Sequence, residues 1–287
     1  MMFTVYLYKM IRKPLVSVVI ATYNRADAIS KTLKNIFEQD YRPLELIVIN
    51  DGSSDNTLEV LEELNNSFDF ILINNPQNLG LQKSLNRGLQ QATGKYIARM
   101  DDHDLWIDVK KTTKQVNFLE KNPDFGMIGS AFKINEDLYI NPQTDEEIRG
   151  QILMRCPFCH QSILMRQSIL RQVGNYDENL SYSEDWDLWL KIGAISKLAN
   201  LPEVTVQVFE PAVNDSLSGN FFLKQLPINR QLVSKYAKKF PAAWKAKLYH
   251  NFIGLFFSII KPGCSIHRLM QGVFRAVFLG TVQKGEA

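Results

Sequence analysis

PLVSVVIATYNR, residues 14–25, contains the run LVSVVIAT (15–22), which is apolar and β-branched with no polar alternation apart from one serine. A strand with one wet face alternates in polarity, whereas a run of this kind reads as a strand buried on both faces of a parallel sheet. LELIVIND (44–51) repeats the character. Between the two, RADAISKTLKNIFEQ (25–39) sets Ala28, Ile29, Leu33, Ile36 and Phe37 at helical spacing, so 15–51 predicts a βαβ unit. Working outward, the pattern predicts helices over 57–66 and 80–92 and strands over 69–74 and 95–100. Further strands are expected at 126–134 and 162–166, with helices near 145–154 and 184–193. The fold class is α/β: a Rossmann-like, wound, mostly parallel sheet with short loops and no internal repeat.

In open α/β sheets, ligands bind beyond the carboxyl ends of the strands. Those ends read Thr22-Tyr23-Asn24-Arg25, Asn50-Asp51-Gly52-Ser53-Ser54-Asp55 and Arg99-Met100-Asp101-Asp102-His103-Asp104, so polar and acidic groups gather at one rim. By itself NDGSSDNT (50–57) is turn chemistry plus a helix cap. At a strand end, however, Asp51 can accept hydrogen bonds from a base or a ribose hydroxyl. The sequence has neither Gly-x-Gly-x-x-Gly nor Gly-x-x-x-x-Gly-Lys-Ser/Thr, so neither a dinucleotide fold nor a P-loop is supported. Three acids around one histidine call for a counter-charge. A divalent cation, Mn2+ or Mg2+, held by Asp102, His103 and Asp104 supplies one, and the imidazole leans toward Mn2+. The competing reading is a solvated loop whose aspartates cap the helix that follows.

RCPFCH (155–160) carries the Cys-x-x-Cys-His pattern of c-type haem attachment. Such attachment needs export, and residues 1–16 lack the basic, apolar and small-residue order of a secretory signal. Three cysteines, Cys156, Cys159 and Cys264, suit a reduced interior better than a disulfide framework. No haem and no zinc site are expected, and Cys156 and Cys159 read as packing thiols. Charge is uneven. Residues 230–287 hold ten Lys/Arg and one acid, net +9, which leaves −6 for the first 229 given the total of +3. NFIGLFFSII (251–260) is about half the ~20 residues that a bilayer span needs.

PLVSVVIATYNR, ELIVINDGSSDNT, NLGLQKSLNRGL, GKYIARMDDHD, HQSILMR and GNYDENLSYSEDWDLWLKI stand in the order and near the spacing of family 2 glycosyltransferases with the GT-A fold. The resemblance covers about residues 14–200. It implies transfer of a sugar from a nucleoside-diphosphate sugar, with Thr22, Tyr23, Asp51 and Asp101 at the nucleoside and ribose and Asp185 as the catalytic base. His160 coincides with a histidine at the start of the strand that leads to the acceptor side, where Glu184 and Trp186 also fall. Two departures bear on the chemistry. The metal-binding Asp of the family aligns with His103, and the Gln-x-x-Arg-Trp of processive synthases is missing, which argues for transfer of a single sugar.

Helical spacing bears on the base independently. Asp185, Leu188, Trp189 and Ile192 fall at i, i+3, i+4 and i+7, which puts the carboxylate at the mouth of a buried stripe. The alternative is that Asp185 only caps its helix. Arg25, Lys83 and Arg99 are candidate diphosphate contacts, each also readable as a solvated charge. The organisation expected is a GT-A domain over 1–220, nucleotide half 14–130 and acceptor half 131–220, then a basic, apolar helical tail over 221–287. WKAKLYHNFIGLFFSII and HRLMQGVFRAVFLG in that tail resemble helices that lie on anionic membranes, or else a helical subdomain packed on the sheet. The expected partners are a glycan or lipid-linked acceptor and no nucleic acid, in the cytoplasm at the inner face of the membrane, in surface polysaccharide or lipopolysaccharide assembly. Two rivals remain: a sugar nucleotidyltransferase, whose glycine-rich first loop is missing here, and a sugar-nucleotide binder disabled by His103.

Overall fold

A computed structural model describes residues 13–209, 219–259 and 281–284. The expectations for residues 1–12, Cys264 and 267–280 lie outside the described residues.

The first strand, β1 (Val16–Thr22), is buried along its whole length. Its residues alternate between two cores, as period-2 geometry requires. Val16, Val18 and Ile20 join the cluster of α1 (Ala26–Phe37), while Val19 and Ala21 join the cluster on the other face. Burying one such Val or Ile is worth about 1.5–3 kcal/mol relative to exposure. Ser17, the polar intruder, is satisfied: its hydroxyl accepts from the Gly94 amide at 2.8 Å and donates to Glu45.

β2 (Leu44–Asn50) runs parallel to β1 in unbroken register from Val16↔Leu44 to Thr22↔Asn50. α2 (Thr57–Asn65), β3 (Ile71–Asn74), α3 (Leu81–Gln91) and β4 (Tyr96–Arg99) complete a parallel block ordered β3-β2-β1-β4. α3 approaches the sheet closely at Gly88, where a Cβ would lie 2.5 Å from Ile49 and 2.7 Å from Val19. This half is the wound parallel sheet that the apolar runs predict.

The second half is mixed. β5 (Leu105–Trp106) and α4 (Lys111–Lys121) precede β6 (Phe125–Ile134), β7 (Asp137–Ile140) and α5 (Asp145–Gln151). After a short 3-10 turn at His160–Ser162 come β8 (Leu164–Arg166), α6 (Gln167–Val173), α7 (Glu184–Gly193) and β9 (Lys197–Val208). β8 is antiparallel to both β4 and β6, while β9 is parallel to β6, so one continuous sheet joins the two halves.

The basic tail is α8 (Gly219–Tyr236), α9 (Ala243–Ile259) and a strand, β10 (Thr281–Lys284). It is not purely helical: β10 adds an antiparallel edge beside β7. Leu232, Val233, Tyr236, Phe240 and Ala246 are buried in the same cluster as Trp189 and Leu190 of α7, so the tail packs on the sheet domain. On the outer side of α9, Trp244, Leu248 and Phe252 are 61–64% exposed at i, i+4 and i+8. No helix among the described residues is long and apolar enough to cross a membrane.

Candidate active site

The parallel strands bring their carboxyl ends to one edge, and two loops there are stapled together. Asn24 takes a left-handed φ of 53°, and its side-chain oxygen accepts from the Ser54 amide at 2.8 Å. The Arg25 amide donates to Thr57 Oγ1 at 2.8 Å. Gly52, at φ 67°, lets the Gln77 backbone pass where a Cβ would stand 2.3 Å away.

Asp51 is buried and accepts from Asn75 Nδ2 at 2.7 Å and from the Leu79 and Gly80 amides at 2.9 and 3.0 Å. Its carboxylate therefore shapes the 78–80 loop, and one lone-pair position remains for a ligand donor. Thr22 is buried beside it with a hydroxyl that has no partner, an orphan of the kind a ligand satisfies. Tyr23 is 44% exposed at the rim. Lys83 is exposed on α3. One turn on, Arg87 reaches inward and its guanidinium donates to Asn75 Oδ1. The Lys83–Arg87 spacing of i, i+4 was the available signal for Arg87, and Asn75 carried none.

Arg99 is not a solvated strand-end charge. It is 2% exposed and pairs with Asp101, whose other oxygen accepts from Gln161. Burial would raise the Asp101 pKa, but the Arg99 guanidinium beside it holds it below the usual carboxylate range. Gln161, which the sequence reading missed, is itself positioned by Trp106, whose indole N–H donates to the Gln161 carbonyl at 2.9 Å.

The expected Asp102, His103 and Asp104 set is arranged around the imidazole. Among the described residues no three metal-ligating side chains converge. His103 instead stands between the two acids, Nδ1 at 2.9 Å from Asp102 and Nε2 at 3.9 Å from Asp104. The hydrogen bond to Asp102 raises the His103 pKa against the opposing effect of burial, so in this arrangement the imidazole is a hydrogen-bonding partner of these carboxylates. Arg25 adds a second cation, 3.7 Å from Asp102. Asp104 is fully buried, and that burial, with Asp101 nearby, pushes its pKa to about 7. One of its oxygens accepts from the Phe209 amide at 2.8 Å while Oδ2 has no partner. The donor chemistry still suits a hard divalent cation held by one or two carboxylates and completed by ligand phosphates.

α7 begins at Ser183, left-handed at φ 59°, and turns Glu184 and Asp185 toward the Arg99–Asp101 pair. Asp185 Oδ1 accepts from the Trp186 amide at 2.7 Å. Burial raises the Asp185 pKa, with Asp101 adding to it, and raises Glu184 to about 7, with Asp185 adding to it. Residues 84 positions apart, Asp101 and Asp185, thus share one electrostatic field. His160 hydrogen-bonds the Tyr176 hydroxyl at 2.8 Å, and burial, with Arg99 beyond, pushes it down to about 3, so it is a neutral imidazole. Trp186 does not face an acceptor. It is buried with its indole N–H donating to the Ile152 carbonyl at 2.7 Å, a packing role. Cys156 and Cys159 are free thiols whose pKa values burial pushes up.

The family model for glycosyl transferase family 2 matches residues 17–176, which hold the parallel strands and the Asp101–Asp104 segment. The chain belongs to glycosyl transferase family 2. An uncharacterized glycosyltransferase of Haemophilus influenzae is 36% identical over 215 residues, covering 68% of this chain and 65% of that protein, so the chain spans under two thirds of its length. The Escherichia coli UDP-Glc:alpha-D-GlcNAc-diphosphoundecaprenol beta-1,3-glucosyltransferase WfaP is 30% identical over 211 residues, 70% of this chain and 80% of that protein. Among solved structures, the Pyrobaculum calidifontis mannosyltransferase PcManGT, in complex with GDP-Man and Mn2+, superposes with a TM-score of 0.65 at 18% identity over 93% of this chain and 82% of that one. The fold is therefore GT-A.

Proposed function

We propose that this family 2 member transfers one glycosyl unit, with inversion, from a nucleoside-diphosphate sugar to an acceptor hydroxyl in cell-surface polysaccharide assembly. What supports this reading is the placement of Asp185 in the first turn of α7, within electrostatic reach of the Arg99–Asp101 pair at the strand ends, together with a carboxyl pKa that burial raises. A base must be ionised but not too weakly basic, and a raised carboxylate meets that need. Thr22, Tyr23 and Asp51 hold the nucleoside, with the free Thr22 hydroxyl and the exposed Tyr23 ring as its contacts. Asp185 takes the acceptor proton as the new oxygen–carbon bond forms at the anomeric carbon and the bond to the diphosphate breaks. Asp102 and Asp104 would hold a divalent cation, which stabilises charge on the leaving diphosphate when bound. Arg25, 3.7 Å from Asp102, is a cation placed for that task.

The E. coli relative's name specifies a diphosphoundecaprenol acceptor, which supports a lipid-linked acceptor here as well. Trp244, Leu248 and Phe252 then lie on the membrane surface, with Lys245 and Lys247 at the phosphates. Sedimentation with anionic vesicles should fall with salt and be lost in a Trp244→Ser/Leu248→Ser/Phe252→Ser variant; undiminished binding by that variant would discard the contact.

Calorimetry of UDP, GDP and dTDP with and without Mn2+ tests the donor site. One nucleotide is expected to bind with metal, at least tenfold more weakly in Asp101→Asn, since loss of a charge-assisted partner costs about 1.5–3 kcal/mol. Release of pyrophosphate instead of nucleoside diphosphate would indicate a nucleotidyltransferase, and binding without turnover a disabled site.

A further inference from the structure

We propose that the cleft between α8 and α9 is an anion site that takes the phosphate of an amphiphile with an apolar chain. The cleft is lined by Arg230, Val233, Ser234, Lys247, His250 and Asn251: two fixed cations and no carboxylate. Among the described residues neither Arg230 nor Lys247 has an acidic partner within 4.0 Å, whereas Lys235 on α8 does. The Arg230 guanidinium is pre-positioned by donating to the His250 carbonyl at 3.1 Å, over Gly254, where a Cβ would stand 2.4 Å from Nη2. Rigid placement lowers the ordering cost of each contact to a phosphate.

His250 supplies an independent observation. It is 1% exposed, its Nε2 lies 3.1 Å from the Leu153 carbonyl, and its Nδ1 is buried without a partner. Because Nε2 donates to that carbonyl, Nδ1 is an acceptor, and the ligand that satisfies it must bring a hydroxyl, as the P–OH of a monoprotonated phosphate does.

The occupant follows from what borders the cleft. Lys247 and Asn251 each adjoin a member of the exposed stripe Trp244, Leu248, Phe252, so a phosphate in the cleft leaves its chain against apolar surface. On the other side the cleft abuts the base helix: His250 packs on Trp186 with ring centroids 5.9 Å apart, and Asn229 accepts from Ser183 Oγ at 2.8 Å. A phosphate there would anchor the acceptor whose hydroxyl reaches Asp185. That last identification rests on the transferase reading; the anion site does not.

The test is calorimetric titration with farnesyl phosphate and with inorganic phosphate, both in EDTA to suppress metal-dependent binding at the nucleotide site. Farnesyl phosphate is expected to bind the full chain, to bind at least about tenfold more weakly to Arg230→Gln/Lys247→Gln, and to bind Asp101→Asn as it does the wild type. Both side chains are solvent-accessible, so the double variant should keep its thermal midpoint and its UDP affinity; each single variant provides a second reading. Inorganic phosphate binding as tightly as farnesyl phosphate would overturn the lipid source. Full binding by the double variant, or loss only in Asp101→Asn, would overturn the site. Farnesyl phosphate binding with no nucleotide binding under any condition would sink the transferase reading and leave the cleft standing.

Discussion

Asp185→Asn is expected to lower single-turnover glycosyl transfer by about 10²- to 10⁴-fold, the range that general-base removal costs, with nucleotide affinity unchanged. The substitution is nearly isosteric, and its Oδ1 still accepts the Trp186 amide, so α7 keeps its first turn. It also removes one of three carboxylates, Asp101, Glu184 and Asp185, that share a field with a single buried guanidinium, so folding stability should not drop. The pH dependence carries the same logic. Burial raises the Asp185 pKa, and only the ionised form accepts a proton, so the wild-type rate falls as pH drops through that raised value. The variant's residual rate should lack this acid limb. An unchanged rate would remove Asp185 as the base, and loss of nucleotide affinity in parallel would make it a structural residue.

The fold was readable because its decisive signal is local. An unbroken apolar run such as VSVVIAT has one good solution, a strand covered on both faces, and the helix between two such runs fixes a parallel pair. The antiparallel strand β7 and the edge strand β10 are four residues each and too brief to carry a period, whereas β8 falls within the strand expected at 162–166. Strand ends likewise placed Thr22, Asp51 and Asp101 at one rim of the sheet. What stayed hidden depended on contacts made across long separations. Asn75 matters because it reaches Asp51, Arg87 because it donates to Asn75, and Gln161 because it holds Asp101 from 60 positions away. Trp186 was misplaced since, next to a base, an aromatic reads as a substrate platform; only the Ile152 carbonyl shows it facing inward. His103 shows the same limit, because whether an imidazole among acids binds metal or neutralises them depends on where its nitrogens point.

Asp187→Ala is expected to cost about 3 kcal/mol, the lower end of the range for breaking a buried ion pair. Asp187 is fully buried and gathers Lys191 at 2.8 Å, Lys235 at 2.9 Å and the Tyr236 hydroxyl at 2.9 Å. The lower end applies because the Lys235 side chain is 46% exposed and can turn to water once its partner is gone. Burial alone would raise the Asp187 pKa, but the lysine contacts outweigh it and hold the carboxyl below its ordinary value. A depressed carboxylate contributes stability that is present above the unfolded pKa, about 3.9, and is lost as pH falls through the folded value. Urea midpoints of wild type and variant should therefore differ near neutrality and converge in acid; a gap that persists unchanged to pH 3 would mean that packing, not charge, is what was removed. The consequence reaches beyond stability, since Asp187 stands two residues after the base and its partners Lys235 and Tyr236 lie on α8. Together with the Ser183–Asn229 bond, this contact ties the tail to both ends of the segment that carries Asp185. A weakened tie should lower transfer while leaving UDP binding at the opposite strands intact, and a variant in which both fall together would place Asp187 in the general fold and not in the positioning of the base.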